Sequence, residues 1–148
     1  MRKIIFILVL MIIVTLGYTN KLVAQNLLLF CDGVDSTGSA VNPRNEFYID
    51  NDSIVLYFYV NLINAKVGCT HIDYKLYDVE ENGQQNWDTS IPQDGLSEGW
   101  SKFWRKIEFY KAGTYHVYVY DCKSNLLTAD RIKIIQKKKD DPKDKIKN

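Results

Sequence analysis

From Thr114 to Tyr120 the chain alternates strictly. Tyr115, Val117 and Val119 fall on one side; His116, Tyr118 and Tyr120 fall on the other. A period of two in β-branched and aromatic residues is the pattern of a strand with one buried face. Lys111-Ala112-Gly113 before it reads as a turn. Lys102 to Phe109 precedes that turn as another strand, with Ile107 and Phe109 alternating against Glu108. Cys122 to Asn125 is polar and turn-prone, and Leu127 to Ile134 reads as the strand that follows it.

Earlier in the chain the same pattern recurs. Leu27 to Cys31 is a short apolar run that reads as a strand, and Asp32 to Ser39 is a loop by composition. Asn45 to Ile49 reads as a brief edge strand. After the turn Asp50-Asn51-Asp52-Ser53, Ile54 to Val60 is the most apolar strand downstream of residue 24. Its Ile54, Leu56, Phe58 and Val60 are assigned to the core, which leaves Tyr57 and Tyr59 facing outward, with Trp104 beside them. Ile72, Tyr74 and Leu76 alternate with Asp73, Lys75 and Tyr77. Val79 to Ser101 is polar, holds Gly83, Pro92, Gly95 and Gly99, and reads as a long connection able to hide a short strand. The chain is therefore expected to be all-β.

Gly113-Thr114-Tyr115-His116-Val117 resembles the corner that opens strand F of immunoglobulin-like domains. There a tyrosine two residues before a core position ties its hydroxyl to upstream backbone. Tyr115 takes that place, and Val117 stands where antibody domains carry a cysteine. Tyr74 stands where they carry a tryptophan, so the resemblance is to the broad immunoglobulin-like or fibronectin-like architecture and covers most of Leu27 to Ile135. It implies an antiparallel β-sandwich of about seven strands. In such a sandwich strands C and F are antiparallel neighbours, so the start of C lies beside the end of F. The resemblance thus implies that Cys69 and Cys122 bridge. Cys31 is then left over: buried, free and reactive, or an intermolecular link.

Met1-Arg2-Lys3 is basic, Ile4 to Leu16 is almost continuously apolar, and Ala24 offers a small residue for cleavage. This is the pattern of a secretory signal peptide over residues 1–24, too short in its apolar part for a membrane span of roughly 20 residues. The domain is expected at 25–136 and a disordered, charged tail at 137–148. Removing Arg2, Lys3 and Lys21 with the leader leaves 16 Lys+Arg against 18 Asp+Glu, a net of −2. Setting aside the tail's six lysines and three aspartates leaves 10 against 15, a net of −5. An acidic domain is a poor match for nucleic acid. Low proline with abundant Lys, Ile, Asn and Tyr points to a bacterial source, and export points to the periplasm or the cell exterior.

Catalytic chemistry finds little footing. The two histidines, His71 and His116, open strands that run antiparallel, which sets them at opposite ends of the pair. No nucleophile motif, phosphate-cradling loop or Cys-x-x-Cys is present, so no cofactor and no metal are expected. Asp32, Asp35, Asp50 and Asp52 offer oxygen ligands, but their spacing is that of turns and not of an EF-hand. Glu80, Glu81, Asp88, Asp94 and Glu98 supply carboxylates in the long connection without a framed pocket.

What remains is surface chemistry. With Tyr115, Val117 and Val119 inward, Tyr118 and Tyr120 face out, joined by Tyr77. Trp87 and Trp100 are expected to cap that face. Exposed aromatic side chains provide amphipathic contact area at low entropic cost. The expected function is a non-catalytic exported module that recognises a protein or a surface glycan. The alternatives are a structural subunit of a cell-envelope complex and a small hydrolase using the loop carboxylates.

Overall fold

Alternation along each strand sends every second side chain inward, and the computed structural model shows where those residues meet. It describes residues 26–63 and 65–137. The expected signal peptide, 1–24, and most of the expected disordered tail, 137–148, lie outside the described residues. Ten strands follow in chain order: β1 (Leu27–Cys31), β2 (Gly33–Val34), β3 (Ala40–Val41), β4 (Glu46–Ile49), β5 (Ile54–Asn61), β6 (His71–Val79), β7 (Gln85–Asp94), β8 (Lys102–Phe109), β9 (Gly113–Asp121) and β10 (Leu126–Gln136). There is no helix among the described residues.

Two sheets face each other, one ordered β1-β5-β8 and the other β4-β10-β9-β6-β7. Leu28, Phe30, Leu56, Phe58 and Val60 of the first share one core with Tyr74, Leu76, Val117, Val119 and Ile132 of the second. Phe58 sits at its centre, 5.0 Å from the Phe30 ring and 5.8 Å from that of Tyr74. On one side the sandwich is closed. The Asn26 side-chain amide donates to the Leu127 carbonyl at 2.9 Å, and the Thr128 hydroxyl donates to the Asn26 carbonyl at 3.0 Å.

Four features differ from the sequence reading. The connection Val79–Ser101 is largely β7, a ten-residue strand paired with β6. It escaped the pattern because none of its side chains is fully buried. A register shift between Leu76 and Tyr77 also makes Asp88 an extra residue and breaks the period. Pro92 is tolerated because β7 lies at a sheet edge. Second, β7 and the two-residue pair β2 and β3 raise the strand number above seven. Third, the sandwich is not wholly antiparallel: β4 runs parallel to β10, Phe47 beside Ile134. The chain leaves β1 in the smaller sheet, turns through β2 and β3, and enters the larger sheet in the direction β10 already takes. Fourth, Tyr59 does point outward, but the β2–β3 hairpin covers it. It is 4 % exposed, its hydroxyl donates to the Gly38 carbonyl at 2.9 Å, and its ring stacks on Trp104.

The Tyr115 hydroxyl donates to the Lys111 carbonyl at 3.2 Å. Burial pushes the phenol up to about 12, so it remains a donor at neutral pH. Cys69 and Cys122 form a disulfide, with Cα atoms 6.3 Å apart. The pairing of Ile72 with Asp121 brings them together, since one cysteine precedes β6 and the other follows β9. Cys31 is buried and free, its thiol 3.1 Å from the Gly33 carbonyl oxygen. Desolvation pushes that thiol up, which keeps it protonated and unreactive.

Candidate binding face

Cross-strand register decides which outward residues touch. Tyr77 on β6 lies opposite His116 on β9, Lys75 opposite Tyr118, and Asp73 opposite Tyr120. On the other flank Trp87 of β7 lies opposite Tyr77. The result is a continuous row across the outer face of the larger sheet. Trp87 and Tyr77 meet edge to face at 5.4 Å, Tyr77 and Tyr118 edge to face at 5.6 Å, and Tyr118 stacks on Tyr120 at 6.4 Å. Lys75 Nζ sits 4.7 Å from the centre of the Tyr120 ring. The three tyrosines are half-buried, largely by one another, while Trp87 is 56 % exposed. Trp87 therefore extends the row and does not seal it. Trp100 is also exposed but makes no ring contact with this row among the described residues. Its backbone accepts from the Val67 N–H at 2.8 Å, in the segment that follows β7.

Three polar groups enter the row that the sequence did not single out as part of it. The Gln85 amide donates to His116 Nδ1 at 3.1 Å, which places the imidazole proton on Nε2. The Tyr118 hydroxyl donates to Gln85 Oε1 at 3.0 Å and lies 3.0 Å from the same His116 nitrogen. Lys75 is the third. Its place, like that of His116, follows from the outward parity of β6 and β9 once their register is known. Gln85 had no such signal, because it lies on the strand that the polar pattern concealed.

The histidines sit in opposite electrostatic settings. Desolvation, with Arg131 nearby, holds His116 below the ordinary 6.5. At the far end of β6, His71 Nδ1 is 2.7 Å from Asp94 and Nε2 is 3.4 Å from Asp73. The bond to Asp94 raises His71 above 6.5. The two are expected to titrate on opposite sides of 6.5, as NMR of the imidazole ring protons would show. His71 contributes stability that is present below 6.5 and lost as pH rises through its folded-state value. For His116 the unfolded chain takes the proton first, so stability falls as pH drops from 6.5 toward its folded-state value. The variant D94N should return His71 toward 6.5 and leave His116 unmoved; coincident titrations would refute both settings.

The carboxylates named from the sequence are divided: Glu80 and Glu81 line one cleft at the β6–β7 turn, and Asp94 lies at the other end of β7. Glu80 accepts from Asn82 and Asn86 at the β6–β7 turn, while Asp94 holds His71 at the other end of β7. Ten residues of strand separate these ends by roughly 30 Å, far beyond the roughly 5–9.5 Å of a glycosidase pair. An open cleft of about 640 Å³ lies at that turn, lined by Asp78, Glu80, Glu81, Gly113 and Lys133 among others. Asp78 there faces Lys111 at 3.2 Å and Lys133 faces Glu46 at 3.6 Å.

Three of the four aspartates considered for calcium, Asp32, Asp35 and Asp50, have protein partners. Arg44 grips both oxygens of Asp32 at 2.6 and 2.7 Å and holds that carboxyl below the usual range. Asp35 accepts from Thr37 and Ser39 within its own turn, and Asp50 pairs with Lys137 at 2.9 Å. Among the described residues no group of three His, Cys, Asp or Glu side chains is placed to hold a metal ion.

No protein family matches the chain, and no curated protein is similar to it in sequence, so the reading of this face rests on its own geometry.

Proposed function

We propose that this chain is an exported, non-catalytic binding module of immunoglobulin-like architecture. We infer further that it recognises a protein through the row Trp87–Tyr77–Tyr118–Tyr120. The architecture is supported by the facing sheets and by the Tyr115 hydroxyl tied to Lys111 two residues before core Val117. Export is supported by the basic-then-apolar start and by the Cys69–Cys122 disulfide.

The observation that carries the binding reading is the uncovered aromatic row with an exposed tryptophan at one end. Tryptophan and tyrosine are the residue types that dominate binding energy at protein interfaces. The ring geometry favours a protein over a glycan. A sugar chain stacks on ring faces presented side by side, whereas here two of the three successive contacts are edge to face and most rings cover one another. The outer face of a five-stranded sheet also suits the roughly 800 Å² that each partner contributes to a standard interface.

The test places a photo-crosslinking amino acid at Trp87 and, as control, at Val55 on the outer face of the smaller sheet. Both positions are well exposed. The expected result, in the native host's envelope and secreted fraction, is one protein captured at 87, not at 55, and lost in Y118A. The partner, once purified, should bind the W87A variant at least about 30-fold more weakly. Equal capture at both positions, or binding to a glycan array in place of a protein, would overturn the reading.

A further inference from the structure

The smaller sheet is narrower than the one it faces. β8 pairs with β5 and has no strand on its other side among the described residues, while β7 extends the larger sheet. Between β7 and β8 runs a cleft of about 200 Å³ that includes Leu76, Ile91, Ile107, Phe109 and the Tyr115 ring. At one point the gap is bridged. The Gln93 side-chain amide donates to the Trp104 carbonyl at 3.1 Å, supplying the hydrogen bond that a neighbouring strand would supply.

That bond also reports the direction of the edge. Backbone groups alternate sides along a strand. The N–H and C=O groups of Trp104, Lys106 and Glu108 therefore point out of the sheet, while those of Phe103, Arg105 and Ile107 pair with β5. Beyond Gln93 the edge lies open at Lys106 and Glu108, beside the apolar cleft.

The charges on this edge are as unusual as its shape. Lys102, Arg105 and Lys106 are exposed, and none forms an ion pair among the described residues. They stand on a domain whose net charge is −5 from 10 Lys+Arg against 15 Asp+Glu. Glu108, in contrast, is held by Ser53 and Tyr110. Lysines along an edge discourage pairing with an ordinary apolar strand. They favour a strand whose outward side chains are acidic. The chain's own terminal segment, with six lysines against three aspartates, has the wrong sign to occupy it.

We propose that the open edge of β8 docks an extended segment of another protein in which apolar and acidic residues alternate. The segment adds a strand to the smaller sheet through the Lys106 and Glu108 backbone. Its apolar side chains enter the cleft over Ile91 and Ile107, and its acidic ones lie beside Lys102 and Lys106. This surface is separate from the aromatic row, so either stands if the other fails.

The test uses two synthetic peptides, one alternating valine and glutamate and one alternating valine and lysine, with the 15N-labelled mature chain. The glutamate peptide is expected to slow hydrogen exchange at the Lys106 and Glu108 amides at least tenfold, and the lysine peptide to leave it unchanged. K106P removes an N–H that faces away from β5 and bonds nothing among the described residues, and it should abolish the effect. K102E/K106E, which retains every backbone group, should reverse the preference between peptides and decides the matter if the proline variant does not fold. No slowing by either peptide, equal slowing by both, or protection at Tyr77 and Tyr118 instead would overturn the proposal.

Discussion

Replacing Cys69 and Cys122 together with serine is expected to lower the unfolding free energy by about 4 kcal/mol. The bridge spans a sequence separation of 53 residues, including all of β6, β7, β8 and β9. Opening it returns the corresponding loop entropy to the unfolded chain, and the chain-entropy expression for a loop of that size gives the stated magnitude. The folded state loses less. The Cys122 N–H that meets Cys69 Sγ at 3.2 Å is exposed enough to find water or the serine hydroxyl. Against a typical domain stability of 5–15 kcal/mol, roughly a quarter or more would be gone. Urea unfolding with and without reductant checks this. Reduced wild type and C69S/C122S should unfold together, well below the oxidised protein. Alkylation should find one thiol in the oxidised chain, Cys31, accessible only after unfolding. An unchanged midpoint on reduction would show that the bond contributes nothing.

Phe58→Ala is expected to cost about 3–5 kcal/mol. The side chain is fully buried, and its ring meets Phe30 and Phe109 in its own sheet and Tyr74 across the core. Removing it forfeits the transfer energy of the ring and leaves a cavity that two β-sheets, braced by their ladders, close poorly. Phe58→Leu should recover much of the loss by refilling the space. Trp87→Ala provides the contrast: an exposed ring with one edge-to-face partner is worth about 1 kcal/mol or less to folding. Equilibrium denaturation of the three variants distinguishes a residue that holds the sheets together from one free to meet a partner. Equal losses for Phe58→Ala and Trp87→Ala would show that the aromatic row is itself part of the core.

Much of this was legible before any coordinates. Strands with one face buried and one exposed announce themselves by alternation, which is why β5, β6, β8 and β9 are where their patterns place them. The neighbouring placement of the ends of β6 and β9, and with it the meeting of Cys69 and Cys122, came from the resemblance to immunoglobulin-like domains and not from alternation. β7 was illegible for the same physical reason read in reverse. A strand at a sheet edge, with no layer opposite much of its inner face, needs few apolar residues and tolerates Pro92 and the bulge at Asp88. Tyr59 was placed on the right face with the wrong exposure, because parity says which way a side chain points and nothing about a hairpin folded over it.

By itself, then, the amino-acid sequence determined the strand class and most of the core, since the burial of alternate side chains is a local property of each strand. Only the tertiary structure decided which outward residues adjoin. Register joins Trp87, Tyr77, Tyr118 and Tyr120 into one row with His116, Lys75 and Gln85, and leaves Trp100 outside it. It also decided that β8 ends the smaller sheet with its backbone and three cations open. Both surfaces arise from pairings between segments distant along the chain, and no local pattern of hydrophobic and polar residues encodes those.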